Sequence, residues 1–132
     1  MSDKKLIAGG LFFITFGIML GAMGAHYLET IGVEADKIDS FATGTDYLFY
    51  NGLGMLAVAG INKRFDFDIT NQFRHILYGT LAFSVSIFAL VLLPQIGITK
   101  IKFLGPITPI GGIFMILGWG GLLVRVLSTY KD

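Results

Sequence analysis

Cysteine is absent from the 132 residues, which excludes disulfides, thiolate metal sites and cysteine nucleophiles and leaves no redox clue to compartment. Charge is scarce too: 14% of residues are charged, against about 25% in an ordinary soluble domain. The net charge of +1 supplies neither the basic field that nucleic acid needs nor an acidic tail, so nucleic acid is set aside as a partner. There are two histidines, His26 and His75, and their placement at opposite ends of different apolar runs separates them by about 20 to 30 Å, too far for a shared haem. His26 and Glu29 stand three apart like half of a carboxylate and imidazole metal site, but no second pair accompanies them, so no metal is expected. No nucleophile, base and orienting acid can be assembled, because Ser84 and Ser86 lie in an apolar helix where hydroxyls bond the local backbone. The chain therefore reads as non-enzymatic and without a cofactor.

What is plentiful is apolar. Hydrophobic residues make up 54% of the chain and the mean hydropathy is +0.72, the balance of an integral membrane protein. Eighteen glycines fit the same reading, because small residues let membrane helices approach where no hydrophobic force drives them together.

The most informative stretch is Ile107-Thr108-Pro109-Ile110-Gly111-Gly112. Thr108 is suited to cap a helix and Pro109 to be its first residue. From Pro109 to Leu127 such a helix is about 28 Å long, close to the roughly 30 Å hydrocarbon thickness of a bilayer. Three further runs complete an all-α, integral membrane four-helix bundle: one domain over residues 1–132, with spans at about 6–28, 41–61, 73–93 and 109–127. The first run has Lys4 and Lys5 ahead of it, in the manner of a signal peptide. Met23 stands where a small residue is wanted before a cut, so a retained span is expected. Gly17, Gly21 and Gly24 form a small-residue strip on it, while Gly118 with Trp119 is expected to pack inside the last span. A short amphipathic segment is expected before span two, which needs to begin near Ser40 to be long enough. Thr70 or Asn71 is expected to cap span three.

Lys4, Lys5, Lys63, Arg64, Arg74, Arg125 and Lys131 fall on one face of this arrangement, and Lys37, Lys100 and Lys102 on the other. The excess places both termini of a multi-pass membrane protein in the cytoplasm, the membrane being the inner one if the cell is bacterial. The less ordinary polar residues then gather near the outer ends of spans one, two and four: His26, Asp46, Tyr47, Asn51 and Thr108, with Gly111 and Gly112 exposing backbone N–H groups. Asn51 needs a partner at its depth, with His26 and the N–H groups near Gly111 as candidates. Two readings share these contacts. In one, the polar groups satisfy each other where helices meet. In the other, they line a small site for a ligand, lipid or ion, with the helix-four terminus attracting an anion or carbonyl.

Gly21-Ala22-Met23-Gly24-Ala25-His26, then Thr43-Gly44 with Tyr47, then Ile107 to Gly112 and Gly118-Trp119, resemble the YgdD-like family of small four-span membrane proteins. The family is a domain of unknown function, so the resemblance implies architecture and membrane location and no reaction. Two departures stand out. Asn51 occupies a position near which relatives carry a histidine, and Val85-Ser86-Ile87-Phe88 replaces a Gly-Ser-x-Tyr pattern. An amide keeps hydrogen bonding and loses titration, which favours packing over proton chemistry. The expected function is a helix-packing oligomer or an accessory subunit of a larger membrane complex, with the bilayer as its first partner. The alternative is a small-ligand, lipid or ion binding or transport element at the polar cluster.

Overall fold

The computed structural model describes residues 1–130; Lys131, counted above with the cytoplasmic cations, lies outside them. Four long helices account for most of the chain: α1 (Asp3–Thr30), α2 (Ala35–Ile61), α3 (Thr70–Leu92) and α4 (Ile107–Thr129). No strand occurs among the described residues. The chain is an all-helical membrane bundle, and three stretches, Asp3–Thr30, Thr70–Ile96 and Lys102–Thr129, are long and apolar enough to cross a bilayer. The helix α2 does not meet that test, because Asp46, Tyr47, Tyr50 and Asn51 lower the hydropathy of its most apolar stretch. It nevertheless runs the length of the bundle and buries Phe41, Gly44, Leu48, Asn51, Gly52 and Met55.

Side-chain contacts set the direction of each helix. At one end, Asn62 Nδ2 donates to Asp3 and to the Met1 carbonyl, and Tyr130 Oη donates to the Arg64 carbonyl. The start of α1, the end of α2, the start of α3 and the end of α4 therefore lie together. In the same loop, the Thr70 hydroxyl and the Met1 ammonium hold the Asp68 carboxyl below the usual carboxylate range. At the other end Phe41 packs on Phe88, and Thr108 meets Ser86. Successive helices are antiparallel.

Backbones come closest within two pairs. A Cβ on Gly10 would stand 2.8 Å from the Gly52 carbonyl oxygen, which fastens α1 to α2. A Cβ on Gly79 would stand 2.7 Å from the Met115 nitrogen, and one on Gly111 would strike the Phe83 nitrogen, which fastens α3 to α4. Such contacts are how membrane helices gain dispersion energy without a hydrophobic drive. The pairs join along α2 and α3, where the buried Ser84 hydroxyl donates to the Gly44 carbonyl at 2.8 Å. That bond crosses between helices, contrary to the local one expected of Ser84.

Several boundaries differ from the sequence reading. The helix α2 begins at Ala35, six residues before residue 41, so it is roughly 39 Å long. The helix α3 begins at Thr70, whose hydroxyl donates to Asp68 and caps nothing. Pro106, at φ −65°, precedes the first residue of α4, which puts Thr108 and Pro109 second and third in that helix. Thr108 is therefore not the cap, because its hydroxyl is bonded to Ser86. Pro109 is accommodated because the first four N–H groups of a helix have no partner within it.

The helix α1 changes pitch before it ends. Leu6, Gly10, Phe13 and Gly17 are buried in α-helix, and a π turn follows at Met23–Tyr27. A seven-residue repeat from Phe13 would bury residue 27, yet Tyr27 is exposed and Leu28 is 0% exposed. The extra residue of the π turn rotates Leu28 into the core. Gly32, at φ 80°, then ends the helix, with Val33 N–H donating to the Leu28 carbonyl and Gly32 N–H to that of Glu29. A glycine is required in that left-handed position.

Candidate functional site

The sequence expectation gathers seven residues at one rim, and the structure divides them by depth. Asn51 is 4% exposed and lies beside Met115 and Trp119, about midway along α4. Its Oδ1 accepts from Trp119 Nε1 at 2.7 Å, and its Nδ2 donates to the Tyr47 carbonyl and to Met115 Sδ, both at 3.1 Å. Neither His26 nor an N–H group near Gly111 is its partner. Trp119 reaches Asn51 because Gly54 has no side chain: a Cβ there would lie 2.6 Å from the indole ring. The pairing is a consequence of local sequence, since Asn51 and Gly54 share one face of α2 while Met115 and Trp119 share one face of α4.

Above this knot lies an open hollow of about 270 Å³, bounded by Tyr47, Asn51, Phe83, Gly112, Met115 and Trp119 among others. Tyr47 leans on Phe83 with ring centroids 4.7 Å apart. Of the expected residues, the structure thus brings together Tyr47, Asn51 and Gly112. Gly111 is turned away from them, buried against the backbone of α3.

A second hollow, about 290 Å³, lies nearer the rim and is lined by Lys37, Ser40 and Thr43 of α2, by Ile87, Leu90 and Val91 of α3, and by Thr108 of α4. The Thr108 and Ser86 hydroxyls are 2.7 Å apart, and Ser86 also donates to the Phe83 carbonyl. His26 and Asp46 join neither hollow. Both are exposed; His26 sits in the π turn, and its carbonyl accepts from Thr30.

Among the helix-packing residues, Gly17 faces Phe49, Gly24 faces Phe41 and Gly118 faces Ile76. Gly21 has open space where a Cβ would be, so the strip expected at Gly17, Gly21 and Gly24 is interrupted, and Gly10 makes the closest approach instead. His75 stacks on Phe114 and its Nδ1 contacts the Asn71 carbonyl. No group of three or more His, Asp or Glu suited to a metal occurs among the described residues.

Sequence reasoning missed Met115, Phe83 and Lys37. Met115 and Phe83 carry no chemical signal by themselves, and only the spacing of Met115 and Trp119 by four residues hints at a common face. Lys37 reads as a solvated charge, and the structure places it on the wall of the same hollow as Thr108 and Leu90.

The family model described as "Protein of unknown function (DUF423)" matches residues 20–112. A UPF0382 membrane protein of Staphylococcus saprophyticus is 33% identical over 128 residues, covering 97% of this chain and 98% of its own. The UPF0382 membrane protein YwdK of Bacillus subtilis is 33% identical over 128 residues, covering 95% and 98%. A UPF0382 membrane protein of Schizosaccharomyces pombe is 34% identical over 105 residues, covering 80% and 86%. No solved structure matches the chain.

Proposed function

We propose that this chain, which belongs to the DUF423 family of proteins of unknown function, is a non-enzymatic helix-packing component of the membrane, either a homo-oligomer or an accessory subunit. The observation that carries the reading is how three of its buried polar side chains, Asn51, Ser84 and Ser86, are used. Asn51 spends both ends of its amide on Trp119, Tyr47 and Met115, Ser84 spends its hydroxyl on Gly44, and Thr108 is bonded to Ser86. Groups committed to joining helices are structural, because an amide or hydroxyl without a partner in hydrocarbon costs several kcal/mol. The fine likeness to YgdD-like four-span proteins, drawn from the motifs around His26 and Gly111, is part of the same proposal. So are the cytoplasmic termini.

Association between copies is supported by glycines that internal packing leaves over. Gly21, Gly60 and Gly120 have no atom within 4 Å of where a Cβ would stand. Native mass spectrometry from mild detergent tests this: a discrete oligomer or a co-purified membrane subunit is expected. Replacing Gly21, Gly60 and Gly120 together by leucine should shift the protein to monomer while each monomer stays folded. A native protein that is monomeric at every concentration and brings no partner would refute the reading.

A further inference from the structure

The two hollows lie in succession along one seam. On α2 the lining residues Lys37, Ser40, Thr43, Tyr47 and Asn51 recur every three or four positions, on α3 Val91, Ile87 and Phe83 recur every four, and on α4 Thr108 and Gly112 do the same. Each set falls on a single helix face, so the hollows lie end to end as one track between α2 and α4 with α3 as its floor, in two separately lined parts that meet where Tyr47 packs on Phe83. At the rim the α2 wall of the track is polar, with Lys37, Ser40 and Thr43, and the α3 wall is apolar, with Val91, Leu90 and Ile87; the track ends on Asn51 and Trp119 at mid-depth.

From Lys37 to Asn51 is fourteen residues of helix, roughly 21 Å. One leaflet, from headgroup to midplane, is about 20 to 22 Å thick. The track is therefore as long as one phospholipid.

The charge at the rim selects among lipids. Lys37 is in no ion pair among the described residues, and Glu34, Asp36 and Asp39 adjoin it in sequence. Along this stretch of α2 an anionic headgroup would meet three carboxylates and one ammonium. The hydroxyl protons of Ser40 and Thr43 are given to the Asp36 and Asp39 carbonyls, so these oxygens are left to accept. Acceptors and carboxylates suit an ammonium, and Lys37 suits a phosphate. We propose that the seam between α2 and α4 binds one zwitterionic aminophospholipid, with its phosphate at Lys37, its ammonium toward Asp36 and Ser40, and one acyl chain along Ile87 and Phe83 to Trp119. This assignment is independent of the packing role proposed above.

Full-length protein in mild detergent is titrated, by native mass spectrometry, with phosphatidylethanolamine, phosphatidylcholine and phosphatidylglycerol of equal chain length, and with chain-free glycerophosphoethanolamine. One phosphatidylethanolamine per chain is expected, bound about tenfold tighter than the other two lipids. Lys37→Gln should weaken it about tenfold, the scale of one charge-assisted hydrogen bond. Gly112→Leu should block the acyl chain; a Cβ there has its nearest neighbour, Phe83 Cδ2, at 4.0 Å, and an unchanged melting temperature checks that the larger side chain leaves the bundle intact. Lys100→Gln, outside the track, should change nothing. Equal binding of the three lipids, or indifference to both Lys37→Gln and Gly112→Leu, overturns the proposal. Binding of glycerophosphoethanolamine as tight as that of the lipid would assign the rim to a soluble phosphate compound and equally overturn it.

Discussion

Asn51 and Trp119 form a pair whose members depend on each other for satisfaction in a medium that offers no water. Replacing Asn51 by leucine leaves the indole N–H unpaired, at a cost of about 1 to 3 kcal/mol. Trp119→Phe likewise strands the Asn51 oxygen. The double variant removes donor and acceptor together, so its loss should be smaller than the sum of the single losses. Thermal unfolding in mild detergent checks this, and additive losses would show that the bond is energetically idle. Trp119 is the sole tryptophan, so its emission also reports the pair directly. The need of Asn51 for a partner could be read from the sequence, because an amide in an apolar helix must be satisfied. The identity of that partner could not, since Asn51 and Trp119 are 68 residues apart and meet only through the helix register that Gly54 permits.

At the scale of the helix pair, glycines divide into those that set distance and those that do not. A methyl group on Gly79 would press on the Met115 nitrogen at 2.7 Å, and one on Gly111 on the α3 backbone. Gly79→Ala or Gly111→Ala should destabilise the bundle by about 1 to 3 kcal/mol, the usual cost of overpacking. Gly120→Ala meets nothing within 4 Å inside the bundle, so in protein dilute enough to be monomeric it should be neutral or stabilising by up to about 1 kcal/mol through helix propensity. Comparison of melting temperatures decides the matter, and equal effects at Gly111 and Gly120 would contradict the packing described. The sequence announced glycine-mediated packing by abundance alone. It misplaced Gly21, because the π turn and the crossing of α1 on α2 choose Gly10, Gly17 and Gly24 as the contacts. The helix starts were misplaced for a related reason. Thr108 has the chemistry of a cap, and a tertiary hydrogen bond to Ser86 claims its hydroxyl first.

At the scale of the whole molecule, four antiparallel helices put residues 5 and 63 at one end and residues 37 and 102 at the other. With no cysteine in the chain, single cysteines at these positions can be labelled without background. Impermeant maleimide added to intact cells should reach 37 and 102 and spare 5 and 63, as the distribution of lysine and arginine requires. Labelling of residue 63 alongside residue 37 would remove α2 as a crossing. That helix is the one whose hydropathy falls short, so the experiment bears on the weakest of the four. Composition and run length alone determined that the chain is an all-helical membrane protein, because burying backbone in lipid leaves a helix as the economical solution for apolar runs of about 20 residues. Which polar groups meet was decided only by tertiary structure. Helix rotation and crossing place side chains dozens of residues apart within hydrogen-bond reach, and glycine contacts between backbones, which carry no chemical signature in sequence, set that geometry.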